Sequence, residues 1–193
     1  MNMNQQITNL INDSILVKKK ILQDTDLIIK IEKLADMCYK SLKIGGKIIF
    51  AGNGGSFADA QHLSAEFTSR FVFDRAPLPS IALATNNSAI SAIANDYGYE
   101  FVFARELDSI ATSEDVFIPI STSGNSANII EALRVAKDKH IPTVALAGGT
   151  GGKIKDMCEC ILVPSCDTAR IQESHIMLGH IICGLVESRY FGE

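Results

Sequence analysis

The first 45 residues carry apolar side chains at helical spacing, in two consecutive segments. In the first segment these side chains recur every three or four residues: Ile7, Leu10, Ile11, Ile15 and Leu16. The second segment covers residues 27–43 and stops at Gly45 and Gly46, because glycine commonly ends helices. We therefore predict two helices. The first has no evident core of its own to cover, so we expect it to pack on another subunit.

After Gly46 the pattern changes to short, β-rich apolar runs that alternate with helical stretches. Strands are predicted at residues 47–51, 80–85, 116–120, 143–147 and 160–163. Helices are predicted from 56 to about 70, at 89–94, 100–110 and 126–139, and from 168 to about 189. Continuous apolar strands separated by helices are typical of a parallel sheet covered on both faces. We therefore predict the α/β fold class, with a doubly wound five-stranded parallel sheet flanked by helices.

The length of 193 residues and a hydrophobic content of 47% fit one domain with a full apolar core. We assign residues 1–193 to this domain and residues 1–45 to a helical N-terminal extension used in oligomerisation. A net charge of -4, with 7% aromatic residues and no Trp, argues against binding nucleic acid. No apolar run reaches the ~18 residues of a membrane span, and no signal-type pattern follows the polar N-terminus. We expect a cytoplasmic protein without nucleic-acid or membrane partners.

Five cysteines form an odd set in a chain too large to need disulfide bridges. They are Cys38, Cys158, Cys160, Cys166 and Cys183. A zinc ribbon would use two CxxC-type pairs, whereas Cys158 and Cys160 form a single CxC. We expect reduced thiols that take no part in the function.

Four hydroxyl side chains follow the third predicted strand within six residues: Ser121, Thr122, Ser123 and Ser126. Ligands of doubly wound sheets bind beyond the carboxyl ends of strands, where a helix start offers free N–H groups and a favourable dipole. Gly124 permits a tight backbone, and the loop contains no Lys or Arg. Helix capping by Ser or Thr is the alternative. Four hydroxyls in one such loop favour binding of a phosphate monoester by neutral donors.

The motif Gly52-Asn53-Gly54-Gly55-Ser56 follows the first predicted strand. It matches neither the dinucleotide-binding glycine fingerprint nor the P-loop, which needs a Lys. Its glycines let a ligand approach the backbone, while Asn53 and Ser56 offer hydrogen bonds. Ser56 with Asp59 also fits a capping box, which would explain part of this composition as helix initiation. The motif is a moderate indication of a polar ligand.

Two predicted helices carry candidate metal ligands and acid–base groups. His62 and Glu66 are four residues apart and share a helix face, although such pairs are more often solvated surface side chains. The last helix holds a polar group within an apolar pattern: Gln172, Glu173, His175 and His180. Spacing does not choose between its two histidines, because at about 100° per residue either can share a face with Gln172.

Four motifs, in this order and spacing, resemble the bacterial phosphoheptose isomerases (sedoheptulose 7-phosphate isomerases) of the sugar-isomerase, or SIS, domain superfamily. They are AGNGGSFADAQH-x3-E, AIANDYGYE, STSGNS and ARIQESHIMLGH, and the likeness covers nearly the whole chain from about Lys40. STSG alone marks only the superfamily. The resemblance implies a flavodoxin-like SIS fold. It also implies conversion of D-sedoheptulose 7-phosphate to D-glycero-D-manno-heptose 7-phosphate through an enediol(ate), the first step of nucleotide-activated heptose biosynthesis.

The resemblance also implies a role for each matching residue. Glu66 and His180 would form the acid–base pair. One Zn²⁺ per subunit would be bound by His62, Glu66, Gln172 and His180. The phosphate would be held by Ser121, Thr122, Ser123 and Ser126. The sugar would face Asn53, Gly54, Gly55, Ser56, Glu66, Asn95, Asp96 and Gln172. Family members are homotetramers with sites at subunit interfaces, which would give the N-terminal helix its partner.

The sequence departs from the family pattern at a few positions. Phe57 stands where a small residue is common, Asn86-Asn87 replace a frequent Asp-Thr, and Ala94 replaces the usual Gly. These changes bear on the preference among ketose phosphates. None removes a residue assigned to chemistry.

Other functions remain open at this stage. The main alternative is a non-enzymatic SIS tetramer that binds a protein partner such as a replication initiator, but the presence of both Glu66 and His180 favours an enzyme. A regulator that senses a sugar phosphate would add a DNA-binding domain, for which 193 residues leave no room. The sequence leaves open whether the heptose enters lipopolysaccharide, capsule or another glycan, and whether Glu66 is ligand, base or both.

Overall fold

The computed structural model describes residues 2–192, which contain one five-stranded parallel sheet. Its strands are β1 (Ile48–Gly52), β2 (Ser80–Ala82), β3 (Val116–Ser121), β4 (Val144–Gly148) and β5 (Glu159–Val163). Their order across the sheet is β2-β1-β3-β4-β5, and each neighbouring pair is parallel. This is the flavodoxin-like order of a doubly wound sheet. The predicted fold class is therefore confirmed.

Seven α-helices accompany the sheet within residues 2–192. They are α1 (Met3–Gln23), α2 (Thr25–Lys43), α3 (Gly55–Thr68), α4 (Asn87–Asp96), α5 (Val102–Ile110), α6 (Ala127–Asp138) and α7 (Thr168–Phe191). The first two are separate helices because Asp24 ends α1 and caps α2, its side chain accepting the N–H of Leu27. Asn86, which departs from the family pattern, caps α4 by accepting two backbone N–H groups.

The strands are short and almost wholly buried because helices cover both faces of the sheet. Side chains alternate along each strand. In β1, Ile48 and Phe50 enter the core layer formed with α1, α2, α3 and α7. Ile49 and Ala51 enter the opposite layer, which α5 and α6 cover.

Helix α1 contributes little to this core. Only Val17 and Ile21 of α1 are buried, in contact with the layer that contains α2 and α7. The apolar side chains Ile7, Leu10 and Ile11 are exposed. Most of the apolar face of α1 is therefore uncovered in the single chain.

Three details differ from the prediction. Strand β2 ends at Ala82 rather than at residue 85, since Ala84 has a φ of 64° that takes the chain out of extended conformation. Helix α4 is longer than predicted at both ends. Asn86 caps its start, so it begins at Asn87, and it continues to Asp96, so Asn95 and Asp96 lie in its last turn. The predicted capping box of Ser56 with Asp59 is wrong, because Ser56 is not the N-cap of α3. Helix α3 begins one residue earlier, after Gly54, whose φ of 55° favours glycine.

The two loops singled out in the sequence lie side by side. Strands β1 and β3 are neighbours, but the helices that follow them, α3 and α6, pack on opposite faces of the sheet. Such a divergence opens a crevice beyond the carboxyl ends of the two strands, where ligands of doubly wound proteins bind. Residues 52–56 and 121–126 both lie at this edge.

The remaining general expectations concern membranes and thiols. No helix among residues 2–192 combines the length and apolar character needed to span a membrane. All five cysteines are free, and Cys38, Cys160 and Cys183 are buried. Burial is the main cause that raises the pKa of Cys183 to about 12, so its thiol stays protonated and unreactive.

Candidate active site

A pair of side-chain amides joins the loops after β1 and β3. Asn53 and Asn128, the latter in the first turn of α6, exchange two hydrogen bonds in which each Nδ2 donates to the other's Oδ1 at 2.9 Å. The hydroxyl of Tyr99 donates to Asn53 Oδ1 at 3.4 Å. These residues, with Glu100 and Ser126, line a cavity of about 530 Å³. Asn53 is thus fixed at the mouth of the crevice.

The loop after β3 presents its hydroxyls at the same edge. Ser121 Oγ and Ser126 Oγ lie 3.1 Å apart. Ser126 precedes α6 but makes no side-chain capping bond, so capping does not explain its hydroxyl. Thr122 and Ser123 line a second cavity of about 230 Å³ with residues that follow β4 and β5. Together with the free N–H groups at the start of α6, these hydroxyls offer neutral donors to an anion.

The backbone of this hydroxyl loop is held rigidly by the turn after β4. Gly124 has a φ of 64°, and a Cβ there would lie 1.9 Å from the carbonyl oxygen of Gly151, so only glycine fits. The carbonyl of Gly124 accepts the N–H of Ile154 at 3.1 Å, and that of Thr122 accepts the N–H of Gly148 at 3.1 Å. A rigid loop can bind a ligand without first losing conformational entropy.

His62, Glu66 and His180 meet in the groove between α3 and α7. Nε2 of His62 lies 3.1 Å from Oε1 of Glu66, one turn further along α3, and 2.9 Å from Nε2 of His180 on α7. The two helices approach closely because Gly179 has no side chain. A Cβ at Gly179 would lie 2.5 Å from Leu63 Cδ1. The sequence therefore brings a carboxylate and two imidazoles, all able to exchange protons, into one cluster in which His62 contacts the other two.

The same three side chains fit a metal ion. Each offers one ligand atom, and the three atoms lie within 4.8 Å of one another. Two imidazole nitrogens and a carboxylate oxygen are typical ligands of Zn²⁺. Tetrahedral Zn²⁺, with Zn–N bonds of about 2.0–2.1 Å, sets two nitrogens roughly 3.3 Å apart, so the present separation needs only a small widening. The chemistry and spacing of the donors therefore suit zinc.

Gln172 lies at the N-terminal end of the same groove. A Cβ at Gly55 would lie 2.6 Å from Gln172 Nε2, so the amide packs directly on the first residue of α3. His180 is two turns further along α7. The structure thus places Gln172 between the glycine loop and the cluster, and its inclusion among the metal ligands stays a prediction.

The structure distinguishes the two histidines of α7. His180 faces α3, whereas His175 is fully buried, and within residues 2–192 neither of its ring nitrogens has a hydrogen-bond partner of normal geometry. Burial lowers the pKa of His175 to about 4, with the carbonyl of Ala147 acting in the opposite direction. His175 is therefore neutral at physiological pH and stands apart from the cluster.

A further carboxyl group, that of Asp59, lies on α3 one turn before His62. Burial raises the pKa of Asp59 to about 6, while the charge of His62 acts in the opposite direction. Its Oδ2 is buried and has no hydrogen-bond partner among residues 2–192. A carboxyl group with this pKa titrates close to neutrality, as functional carboxyl groups often do.

Asn95 and Asp96 do not join the other candidate residues in this chain. Both are exposed in the last turn of α4, where Asn95 Nδ2 donates to Asp96 Oδ1 at 2.8 Å. With Asn87 they line a separate cavity of about 560 Å³. Their predicted contact with the sugar therefore stays a prediction.

Sequence reasoning missed several residues that support the site. Asn128 pairs with Asn53, Phe71 stacks on the ring of His180, and Arg75 forms a buried ion pair with Glu187. Glu187 follows a run of buried apolar residues on α7: Leu178, Ile182, Cys183 and Val186. A charged residue on such a face needs a partner, and this was the available signal.

Comparison with known proteins first defines the class. The sequence profile of the SIS domain matches residues 15–148, which is more than half of the chain. The matched region contains α2, both loops at the crevice and the His62–Glu66 pair. With its doubly wound sheet and hydroxyl loop, this is a SIS domain protein.

Individual relatives narrow this class. The chain is 54% identical to a phosphoheptose isomerase of Aneurinibacillus thermoaerophilus, over 98% of this chain and 96% of the relative. It is 51% identical to phosphoheptose isomerase 2 of Campylobacter jejuni, over 100% and 96% of the two chains. The structure of a phosphoheptose isomerase from Francisella tularensis superposes with a TM-score of 0.92 at 32% identity, covering 97% of this chain and 100% of that one. The chain belongs to the phosphoheptose isomerases, which confirms the resemblance.

Proposed function

We propose that this protein is an isomerase that converts D-sedoheptulose 7-phosphate to D-glycero-D-manno-heptose 7-phosphate. The observation that carries the proposal is the cluster of Glu66 and His180 across the α3–α7 groove, in a chain whose loop after β3 also carries the hydroxyls. Interconversion of a ketose and an aldose needs a base at carbon and an acid at oxygen. A carboxylate and an imidazole on facing helices supply both. The names of the relatives support the same reaction.

Substrate binding is divided between the two loops. The phosphate group would be bound by Ser121, Thr122, Ser123 and Ser126. The contact between the hydroxyls of Ser121 and Ser126 supports this, because either hydroxyl can turn to donate to a phosphate oxygen. The loop contains no Lys or Arg, but the positive end of the α6 helix dipole provides a favourable electric field for the phosphate. The sugar would lie against Asn53, Gly54, Gly55, Ser56 and Gln172.

Proton transfer is assigned to Glu66 and His180. Glu66 takes the proton from C1 of the ketose, which leaves an enediol(ate), and returns a proton to C2. His180 exchanges protons with the oxygens on C1 and C2 as the carbonyl moves between them. Because Glu66 lies in the last turn of α3 and His180 on α7, the separation of these two helices sets the geometry of both transfers.

We infer that one Zn²⁺ per subunit is held by His62, Glu66, Gln172 and His180. When bound, zinc supplies a Lewis acid that polarises the carbonyl oxygen. Gln is an unusual zinc ligand, so the site is weaker than a structural site and open to substrate. Glu66 has two carboxylate oxygens, and one can face the metal while the other accepts the proton.

We infer further that the protein is a homotetramer in which residues 1–45 pack against neighbouring subunits. The exposed apolar face of α1 supports this, since monomeric proteins rarely leave such patches uncovered. An apolar cavity of about 570 Å³ lies between α1, α2 and α7, with Leu22, Ile28 and Leu185 among its walls. Assembly would also give Asn95 and Asp96 a neighbouring site to complete.

The second candidate function is a non-enzymatic tetramer that binds a protein partner such as a replication initiator. The cluster formed by Glu66, His62 and His180 favours the enzyme, because a docking protein needs no such cluster. A cytoplasmic location is supported by the five free thiols. The product would enter nucleotide-activated heptose synthesis for lipopolysaccharide, capsule or another glycan.

Incubation of the purified full-length protein with sedoheptulose 7-phosphate tests the proposal. We expect NMR to show the aldose 7-phosphate as product. A chelator should remove most of the activity, and added Zn²⁺ should restore it. The Aneurinibacillus phosphoheptose isomerase serves as the positive control. No product from metal-replete protein, in conditions where the control reacts, would contradict the proposed function.

A further inference from the structure

A buried ion pair joins the loop after α3 to α7. Arg75 Nε donates to Glu187 Oε1 at 2.7 Å, and the two side chains are only 2% and 1% exposed. Glu187 also accepts the backbone N–H groups of Phe71 at 3.0 Å and Val72 at 2.7 Å. Burial alone would raise the pKa of Glu187, but these hydrogen bonds and Arg75 hold it below its usual value. Glu187 is therefore an ionised carboxylate with partners on both oxygens.

Arg75 caps the turn of α3 that carries Glu66. Because α3 ends at Thr68, the carbonyls of its last four residues lack partners within the helix. The guanidinium supplies partners to two of them: Nη2 donates to the Glu66 carbonyl at 2.7 Å, and Nη1 donates to the Phe67 carbonyl at 2.7 Å, which also accepts the N–H of Leu78. Its positive charge also lies at the negative end of the helix dipole. The backbone position of Glu66 thus depends on Arg75.

Glu187 acts on the other half of the cluster through Phe71. Its two hydrogen bonds to the loop hold Phe71 so that the ring stacks on His180, with 5.5 Å between ring centroids and 30° between planes. Gly184, one turn after His180, leaves room for this ring, since a Cβ there would lie 3.3 Å from Phe71 Cε1. The imidazole of His180 therefore contacts both Phe71 and His62.

We propose that Arg75 and Glu187 are positioning residues for the isomerisation. One buried ion pair holds the backbone of Glu66 through its carbonyl and the ring of His180 through Phe71, and so fixes the separation of the two proton-transfer groups. The inference rests on the proposed function, because this separation matters only if both groups transfer protons. A displacement of ~1 Å is enough to reduce turnover by roughly a hundredfold.

Glu187→Gln and Arg75→Lys in the full-length protein test the inference. Asp115→Asn is a matched control: the side chain of Asp115 is 2% exposed and bonded to Lys47 Nζ at 2.7 Å, but Asp115 lies at the amino end of β3, away from the crevice. The values of kcat and KM are measured at a temperature where circular dichroism shows every variant folded. We expect kcat to fall about ten- to hundredfold in both test variants, with KM within about threefold of wild type. Asp115→Asn should lower the unfolding midpoint and keep kcat within about twofold.

Phe71→Leu provides a second measurement if the ion-pair variants do not fold, because Phe71 is only partly buried. It removes the ring from His180 and leaves the ion pair intact, so kcat should fall about tenfold at unchanged KM. If the folded Glu187→Gln and Arg75→Lys variants have the same kcat as Asp115→Asn, the inference is overturned, while the proposed function still stands. A wild-type protein that forms no product would contradict both.

Discussion

The Nε2 atoms of His62 and His180 lie 2.9 Å apart, although 118 positions separate the two residues in the chain. In the absence of a metal, one nitrogen must carry the proton that the other accepts. A metal ion instead needs the lone pair of both. Metal binding therefore requires the histidine that carries this proton to change tautomer, so that its Nδ1 holds the proton instead.

His180→Gln should lower turnover by about two orders of magnitude and also reduce bound zinc, because it removes an acid–base group and a ligand together. His175→Gln should keep kcat per folded molecule within a few-fold of wild type, since His175 is buried away from the cluster. The checks are kcat and zinc content after dialysis for both variants. A larger loss in His175→Gln than in His180→Gln would show that the site is misassigned.

Glu66→Gln should abolish most of the turnover while substrate still binds. Gln keeps the shape of Glu66 and much of its hydrogen bonding, but it cannot accept a proton at neutral pH. We expect kcat to fall by roughly two orders of magnitude or more, as for an acid–base residue. Calorimetric titration with sedoheptulose 7-phosphate would report binding. Glu131→Gln, a partly exposed position on α6 that pairs with Arg134, is the control. Near-normal turnover in Glu66→Gln would rule out the role of Glu66 as base.

Ser121→Ala and Ser123→Ala should each weaken binding of the phosphate group. Each removes one neutral donor next to the start of α6, which is worth about 1–3 kcal/mol for a bond to a charged group. Titration with sedoheptulose 7-phosphate measures the loss. Ser109→Ala, in the exposed last turn of α5, should have no effect. If both loop variants bind as tightly as wild type, the hydroxyls do not hold the phosphate.

Acid should destabilise the protein through His175. Burial holds the pKa of His175 near 4 in the folded state, against about 6.5 when unfolded. Between these values the unfolded chain binds more protons, so the free energy of unfolding should decrease as pH falls from 6.5 to 4 and be fully recovered above 6.5. The total loss is about 3 kcal/mol.

Urea titrations of wild type and His175→Leu over this pH range measure the effect. The variant should lack this part of the acid dependence, and an unchanged slope would contradict the assignment. Asp59 acts in the opposite direction, because its pKa is raised to about 6 and its neutral form is favoured in the folded state. The comparison is therefore repeated in an Asp59→Asn background.

Charge on the exposed face of α1 should disrupt assembly. Leu10 and Ile11 are both more than half exposed in the single chain, and a tetramer would bury them. Wild-type protein should elute as a tetramer by light scattering at micromolar concentration. Leu10→Glu should shift it to a smaller species, whereas Asn9→Glu serves as a neighbouring control on the same helix. A monomeric wild-type protein would contradict the assembly.

The fold could be predicted from the sequence because the buried strands are continuous apolar runs between helical patterns. The last two strands were located to within one residue at each end. The early end of β2 could not be predicted, since it depends on the positive φ of Ala84, which is not a glycine. The early start of α4 depends on a cap, Asn86, which the sequence shows only as a departure from the family pattern.

The candidate site could be predicted from the sequence only in part. Its hydroxyl loop is contiguous, so composition revealed it, and helical spacing placed His62 beside Glu66. Spacing could not separate His180 from His175, because that choice depends on which side of α7 meets the sheet. The pairing of Arg75 with Glu187 joins residues 112 positions apart, and such contacts leave no local pattern.

The order of elements along the chain has a consequence for biosynthesis. All five strands and the hydroxyl loop precede residue 168, whereas His180 belongs to α7, the last helix. Synthesis from the N-terminus therefore completes the sheet edge with the hydroxyl loop before His180 can reach Glu66. Helix α7 also brings Leu178, Ile182 and Val186 into the core, so one docking event both closes the core and assembles the reactive groups. A nascent chain in which α7 has not yet docked carries the hydroxyl loop before Glu66 and His180 have come together.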